Sequence, residues 1–224
     1  MKRYLSYALI LLIIPLVVIG GMLLFDETQI AWVSICVAVL SCVPFFIRFE
    51  RNGHDSKRIV LIAATVALSV VGRAAFAPIP GFKPVTAFVV LCAIYFGAES
   101  GFMTGALAAL VSNFIFGQGP WTPFQMLAWG IVGFIAGLMP NVLRKNRIAL
   151  ALYGILSGAL FSLLMDLWSV LWSDGGFNLS RYIALTVTAL PFTAIYAASN
   201  VVFLLLLSSP IGRIFNRIKI KYGL

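Results

Sequence analysis

Few side chains in this sequence could do chemistry, and most of them sit within or beside long apolar runs. Asp166 and Arg73 are the two ionisable groups placed well inside such runs. A charge in hydrocarbon is expensive and marks a ligand or ion pathway by default. Counted from the ends of their runs, both lie at similar depth, so they could pair and neutralise each other. Asn113 and Gln118 stand at the same end of a neighbouring run. Trp121, Gln125 and Trp129 recur every fourth residue and share one helix face. Aromatic, amide and aromatic on one face suit a ligand with flat and hydrogen-bonding parts. The alternative is interfacial tryptophan and interhelical packing. Ser162 and Ser169 flank Asp166 on its face, while Tyr196 and Asn200 read as interhelical hydrogen-bond glue.

Other chemistries are missing. No Gly-x-x-x-x-Gly-Lys-[Ser/Thr] loop occurs, so ATP hydrolysis is not expected of this chain alone. His54 is the one histidine and lies in a charged linker beside Asp55. His-based metal sites and Ser–His catalysis are therefore excluded from the spans. Asp166 is the one carboxylate clearly within a span, which leaves no paired-carboxylate site. Cys36, Cys42 and Cys92 fall in apolar segments without metal-ligand spacing and read as small hydrophobes. The expectation is a protein that is not an enzyme and holds no metal or cofactor.

The elements that must position these residues are transmembrane helices. Of 224 residues, 62% are hydrophobic and 10% charged, against about 25% charged in an ordinary soluble domain. The stretches Tyr4 to Phe25, Pro123 to Leu143 and Tyr182 to Leu207 carry no charge. Each exceeds the ~18 residues that distinguish a spanning helix. The runs are continuous rather than alternating, which excludes a barrel. Spans are expected near 4–25, 29–48, 58–77, 84–98, 100–117, 122–143, 148–172 and 181–207. The first imitates a signal peptide but is long for one, and is read as a retained span. The fourth, at about 21 Å, is too short to cross unaided. It is expected to be tilted, broken or buried against neighbours. Gly97 to Gly101 reads as a tight turn.

Thirteen of the sixteen Lys and Arg residues fall on one side of this arrangement; Arg73, Lys83 and Arg181 fall on the other. Eight spans with both termini in the cytoplasm satisfy that bias, and it accounts for the net charge of +9 better than nucleic acid does. The fold class is thus an all-α membrane protein. Residues 1–57 form an N-terminal pair of helices with a basic linker, and residues 58–224 a six-helix core with a basic tail. The outer loops 77–84, 117–123 and 172–178 are rich in Gly, Pro and aromatics, including Phe82 beside Lys83. Together they read as the rim of an outward-facing pocket. Small residues recur at helical spacing: Ala63 and Ala67; Gly101 and Gly105; Gly130, Gly133 and Gly137; Gly154 and Gly158. Such faces let helices approach closely.

Two stretches carry a resemblance. GRAAFAPIPGFKPVTA at 72–87 and SNFIFGQGPWTPFQM at 112–126 resemble the substrate-binding (S) component of energy-coupling factor (ECF) transporters. The similarity spans roughly Ile59 to Leu207, which would supply that family's six-helix core, and departs from it in the two N-terminal helices. The GQGPWTPFQM stretch is most similar to members assigned to cobalamin uptake. The resemblance implies a high-affinity vitamin-binding protein in a bacterial cell membrane. It implies partners too: a membrane coupling protein and two ATPase subunits, with substrate released as the S component topples in the bilayer. It places the docking face on the first core helix, where Ala63 and Ala67 match its Ala-xxx-Ala spacing.

The expected substrate contacts are Arg73, Phe82, Lys83, Asn113, Gln118, Trp121, Gln125, Trp129 and Asp166. Cobalamin, large and amide-rich, would suit that inventory. Riboflavin, folate or another flat vitamin would suit it too. The competing readings are a gradient-driven secondary transporter with Asp166 as coupling carboxylate, and a non-transport scaffold.

Overall fold

The computed structural model describes residues 2–24, a few positions between 32 and 43, and 55–223. Among the described residues every regular element is helical. The chain starts with α1 (Lys2–Ala8), a π-helical turn (Leu9–Ile13) and α2 (Ile14–Leu24). Then follow α3 (Asp55–Ala75), α4 (Val85–Phe96), α5 (Ala98–Phe116) and α6 (Thr122–Leu138), the short α7 (Pro140–Lys145), α8 (Arg147–Asp174) and α9 (Leu179–Tyr222).

Among the described residues, five helical stretches are long and apolar enough to cross a membrane: Tyr4–Leu24, Lys57–Ala75, Ala98–Phe116, Arg147–Asp174 and Leu179–Tyr222. Val85–Phe96 and Thr122–Leu138 are shorter apolar helices. The expected span at 29–48 lies largely outside the described residues, as do His54 and Cys42. Of the other cysteines, Cys92 is buried and Cys36 exposed.

Element boundaries follow local chemistry. Pro78 and Pro80 follow the end of α3, and neither can donate a backbone hydrogen bond to continue it. Gly97 is the single residue between α4 and α5, at φ +97°. That conformation suits glycine, so the expected turn shrinks to one residue. Asn146 caps α8 by accepting from the Ile148 and Ala149 amides, and Asn178 caps α9 by accepting from Arg181 N. The latter helix runs 44 residues, about 66 Å. It continues through Pro210 into the basic segment expected to be a tail.

The short α4 is the centre of the core. Every one of its 12 residues except Tyr95 is buried, which answers how so short an apolar helix is accommodated. It packs against α3, α5, α6 and α9. Helices α5 and α6 come closest of all. A Cβ on Gly105 would lie 2.3 Å from the Trp129 carbonyl oxygen, and one on Gly133 2.3 Å from that of Gly101. This approach sets the distance between Asn113 on α5 and Gln125 and Trp129 on α6. Gly105→Ala should push the helices apart at a cost of about 1–3 kcal/mol. A melting temperature in detergent that does not fall would contradict this packing. The N-terminal helix joins the same bundle: α2 packs on α6 and α8, and Tyr7 meets Phe134 edge-on at 4.9 Å.

Candidate functional site

Arg73 is buried near the end of α3, and its side chain reaches across to α5. Its Nη1 donates to Ser112 Oγ and to Asn113 Oδ1, the latter at 2.8 Å. Asn113, fully buried, passes the chain on. Its Nδ2 donates to Thr122 Oγ1 and to Gln125 Oε1, both at 2.9 Å. Thr122 Oγ1 donates to Gln118 Oε1 at 3.0 Å, and Gln118 Nε2 donates to the Leu110 carbonyl at 2.9 Å. One polar network therefore ties the ends of α3 and α5 to the start of α6. Buried networks of this kind hold their members in one arrangement when each is satisfied.

Aromatic rings enclose the guanidinium. Its Cζ lies 4.6 Å from the Phe116 ring centroid and 5.5 Å from that of Trp129. Trp129 stacks on Phe161 at 4.9 Å and 24°, and Phe161 meets Tyr196 edge-on at 5.5 Å. The cavity beside these rings is lined by Lys83, Thr86, Trp129, Phe161, Tyr196 and Asn200, with Gly81, Val85 and Gly158 completing its wall. Its volume is about 20 Å³, room for roughly one water molecule.

The charge here is one-sided. Lys83 lines the cavity, Arg73 lies against its Trp129 wall, and among the described residues no carboxylate lines it. Burial, and then repulsion from Arg73, holds the Lys83 ammonium below the usual lysine range. The loop that carries Lys83 is latched to α9. Lys83 N donates to Ser199 Oγ at 2.8 Å, and that hydroxyl donates back to the Lys83 carbonyl at 3.1 Å. Among the described residues no group of three or more His, Cys, Asp or Glu could hold a metal ion.

The structure brings Arg73, Asn113, Gln118, Gln125, Trp129 and Lys83 to one end of the bundle. The other sequence candidates have different partners. Phe82 packs with Phe76 and Phe203, at 6.0 and 5.0 Å, and does not itself line the cavity. Trp121 meets Trp168 edge-on at 6.1 Å. Asp166 does not pair with Arg73. It faces Thr186 and Tyr182 on α9, and its buried Oδ2 has no hydrogen-bond partner. Equal depth put the two charges at one level, but their helices turn them in different directions.

Several residues of the site escaped sequence reasoning. Ser112, which accepts from Arg73, and the lining residues Thr86 and Phe161 carry no signal that separates them from packing residues. Asn200 bridges helices by hydrogen bonds as expected, whereas Tyr196 meets α8 through the Phe161 ring. Asn200 Nδ2 donates to Ser157 Oγ at 3.1 Å, yet both also face the cavity.

A family model for the ECF-type riboflavin transporter S component matches residues 54–211. The chain belongs to this family. The match covers α3 to α8 and most of α9, which include every helix that lines the cavity, and leaves α1 and α2 outside. Curated relatives include UPF0397 proteins of two Aliivibrio species and of Vibrio atlanticus. The Aliivibrio salmonicida protein is 31% identical over 148 residues, 64% of this chain and 78% of its own. The Vibrio atlanticus protein is 29% identical over 153 residues, 66% of this chain and 81% of its own. No solved structure matches. The S component is thus a multi-pass membrane protein of a vitamin-type transporter, not an enzyme, and its family implies a vitamin substrate and ECF-module partners.

Proposed function

We propose that this S component captures a flat, heteroaromatic vitamin at the Trp129 end of the bundle, with riboflavin the first candidate. The observation that carries this is the pairing of a stacked aromatic wall with two cations and no carboxylate. A flat ring would lie against Trp129 and Phe161, and its electronegative edge would face Arg73 and Lys83. Pockets for small molecules combine apolar walls with a few placed polar groups in this way. Riboflavin, the substrate by which the family is described, agrees with that chemistry.

Such a ligand needs a few hundred Å³, far more than the present cavity of about 20 Å³. Capture therefore requires the walls to part. Loop 76–84 is the natural cover, since it is tied down by the Ser199 hydrogen bonds and the packing of Phe82. Cobalamin, the substrate favoured from the sequence, would demand a much wider opening and displacement of the Trp129–Phe161 pair. The remaining steps of the reading follow the family. ATPase subunits and a coupling protein drive import, the basic ends lie in the cytoplasm, and the protein topples to release its cargo.

The test is calorimetric titration of the purified chain, without ATP or partners, against riboflavin, cobalamin and folate. One-to-one riboflavin binding with submicromolar affinity is expected, about 8 kcal/mol or more. Binding to cobalamin alone would reverse the substrate assignment. Failure to bind any vitamin would count against the cavity as a capture site.

A further inference from the structure

The opposite end of α4 faces a second concavity. Tyr95, Arg144, Arg147, Ser208 and Ser209 are among the residues that wall a cleft of about 110 Å³. It continues along α9 past Arg213 and Asn216 as an open trough of about 510 Å³. Val85 lines the vitamin cavity and Tyr95 the cleft, so the two lie about 15 Å apart along α4.

Three arginines line this concave surface, Arg144 and Arg147 in the cleft and Arg213 in the trough that continues it. Arg147 Nη2 donates to Ser209 Oγ at 3.2 Å, and Arg213 Nε donates to the Ser209 carbonyl at 3.3 Å. One serine thus holds two guanidinium groups. Arg144 Cζ stands 5.3 Å from the Tyr95 ring centroid. Lys219 Nζ adds a fourth positive charge by donating to the Tyr95 carbonyl at 3.3 Å. Among the described residues the walls offer no carboxylate. None occurs in α4, between residues 100 and 165, or after Asp174. Glu99, buried in the first turn of α5, does not line the cleft.

The bias of Lys and Arg toward one membrane side explains why basic residues stand in these segments. It is satisfied equally well by splayed, separately solvated side chains. It does not explain three guanidinium groups on one concave surface with hydroxyls between them. An anion does. Guanidinium forks match phosphate oxygens two at a time, and hydroxyl donors complete the shell. Basic pockets at the ends of transmembrane helices hold phosphate-bearing head groups.

We propose that this cleft binds a phosphate-bearing anion, a lipid phosphodiester head group or a free phosphate, through Arg144, Arg147 and Arg213 with Ser208 and Ser209. The proposal is independent of which vitamin occupies the other end.

Native mass spectrometry of the full chain in detergent tests it, with phosphatidylglycerol as lipid probe and inorganic phosphate as soluble probe. Wild type should retain one phosphatidylglycerol per chain in preference to phosphatidylcholine. The triple variant Arg144→Gln, Arg147→Gln, Arg213→Gln should lose at least tenfold in retention. The control Lys145→Gln, Arg217→Gln, Lys221→Gln removes as many charges outside the cleft and should keep it. Displacement of the lipid by millimolar phosphate would name free phosphate as the ligand; retention would name the head group. Equal retention by wild type and triple variant, equal loss in the control, or indifference between the two lipids would overturn the site. Melting temperature shows whether the triple variant is folded, and Arg147→Gln alone carries the same comparison if it is not.

Discussion

Trp129→Ala should weaken vitamin binding by the purified chain on the order of a hundredfold, about 2.7 kcal/mol. The indole is 7% exposed, lines the cavity, stacks on Phe161 at 4.9 Å and lies 5.5 Å from the Arg73 guanidinium. Its removal takes away a wall of the pocket and one of the two rings that flank a buried cation. Tryptophan at the centre of a desolvated site commonly carries losses of this size. Truncation also leaves a hole, and buried Trp→Ala changes cost about 3–5 kcal/mol of stability. Affinity must therefore be compared with a second variant. Trp129→Phe keeps a ring and should lose about tenfold. Asn113→Ala supplies an independent arm, because it cuts the link between Arg73 and Gln125 without touching the stacked rings. Calorimetry on folded protein decides. Unchanged affinity in both Trp129→Phe and Asn113→Ala would place the pocket elsewhere.

The helices were legible because the bilayer imposes a length and a polarity on each. The close approach of α5 and α6 was legible too, since Gly101, Gly105, Gly130 and Gly133 leave room that other residues would fill. Even the burial of α4 could be expected from its length. What sequence spacing supplies is depth along a helix and the face shared by residues on that helix. It does not supply the rotation of one helix against another. Arg73, Asn113, Gln125 and Trp129 were found by depth and face, and they do meet. Arg73 and Asp166 satisfied the same depth criterion, yet α3 turns the arginine onto α5 and α8 turns the aspartate toward α9. Phe82 sits in a proline-rich loop where no period predicts direction, and it joins Phe203 instead of the cavity. Phe161 and Thr86 were invisible because an aromatic or a threonine in an apolar run is ordinary packing until a cavity opens beside it. The extent of α9 was hidden by its own composition. Basic residues after Leu207 read as a tail, but they end a helix well, since cations favour the carbonyl end of its dipole.

Bulky replacements on the outer face of α3 should abolish uptake while sparing capture. Ile62, Thr65, Val66, Ser69, Val70 and Arg73 are buried against the bundle. The other side of the helix presents Val60, Ala63, Ala64, Ala67, Leu68 and Val71 outward, all exposed. Three alanines at the middle of that stripe make a shallow strip between larger residues. Small-residue strips let a second helix approach closely enough for broad van der Waals contact. They do not serve the core formed by the described residues, since Ala63, Ala64 and Ala67 are all exposed among them. Ala63→Trp and Ala67→Trp should therefore leave vitamin affinity within about twofold, since neither side chain reaches the cavity. ATP-driven uptake in vesicles with the coupling protein and ATPase subunits should fall at least tenfold, a loss of about 1.4 kcal/mol or more in productive docking. Val187→Trp supplies the control, because Val187 is 58% exposed on α9 and outside the strip. It should import normally. If Val187→Trp fails as badly, added bulk at the lipid surface is the cause. If the alanine variants lose binding instead, α3 positions the pocket and the docking face lies on another helix.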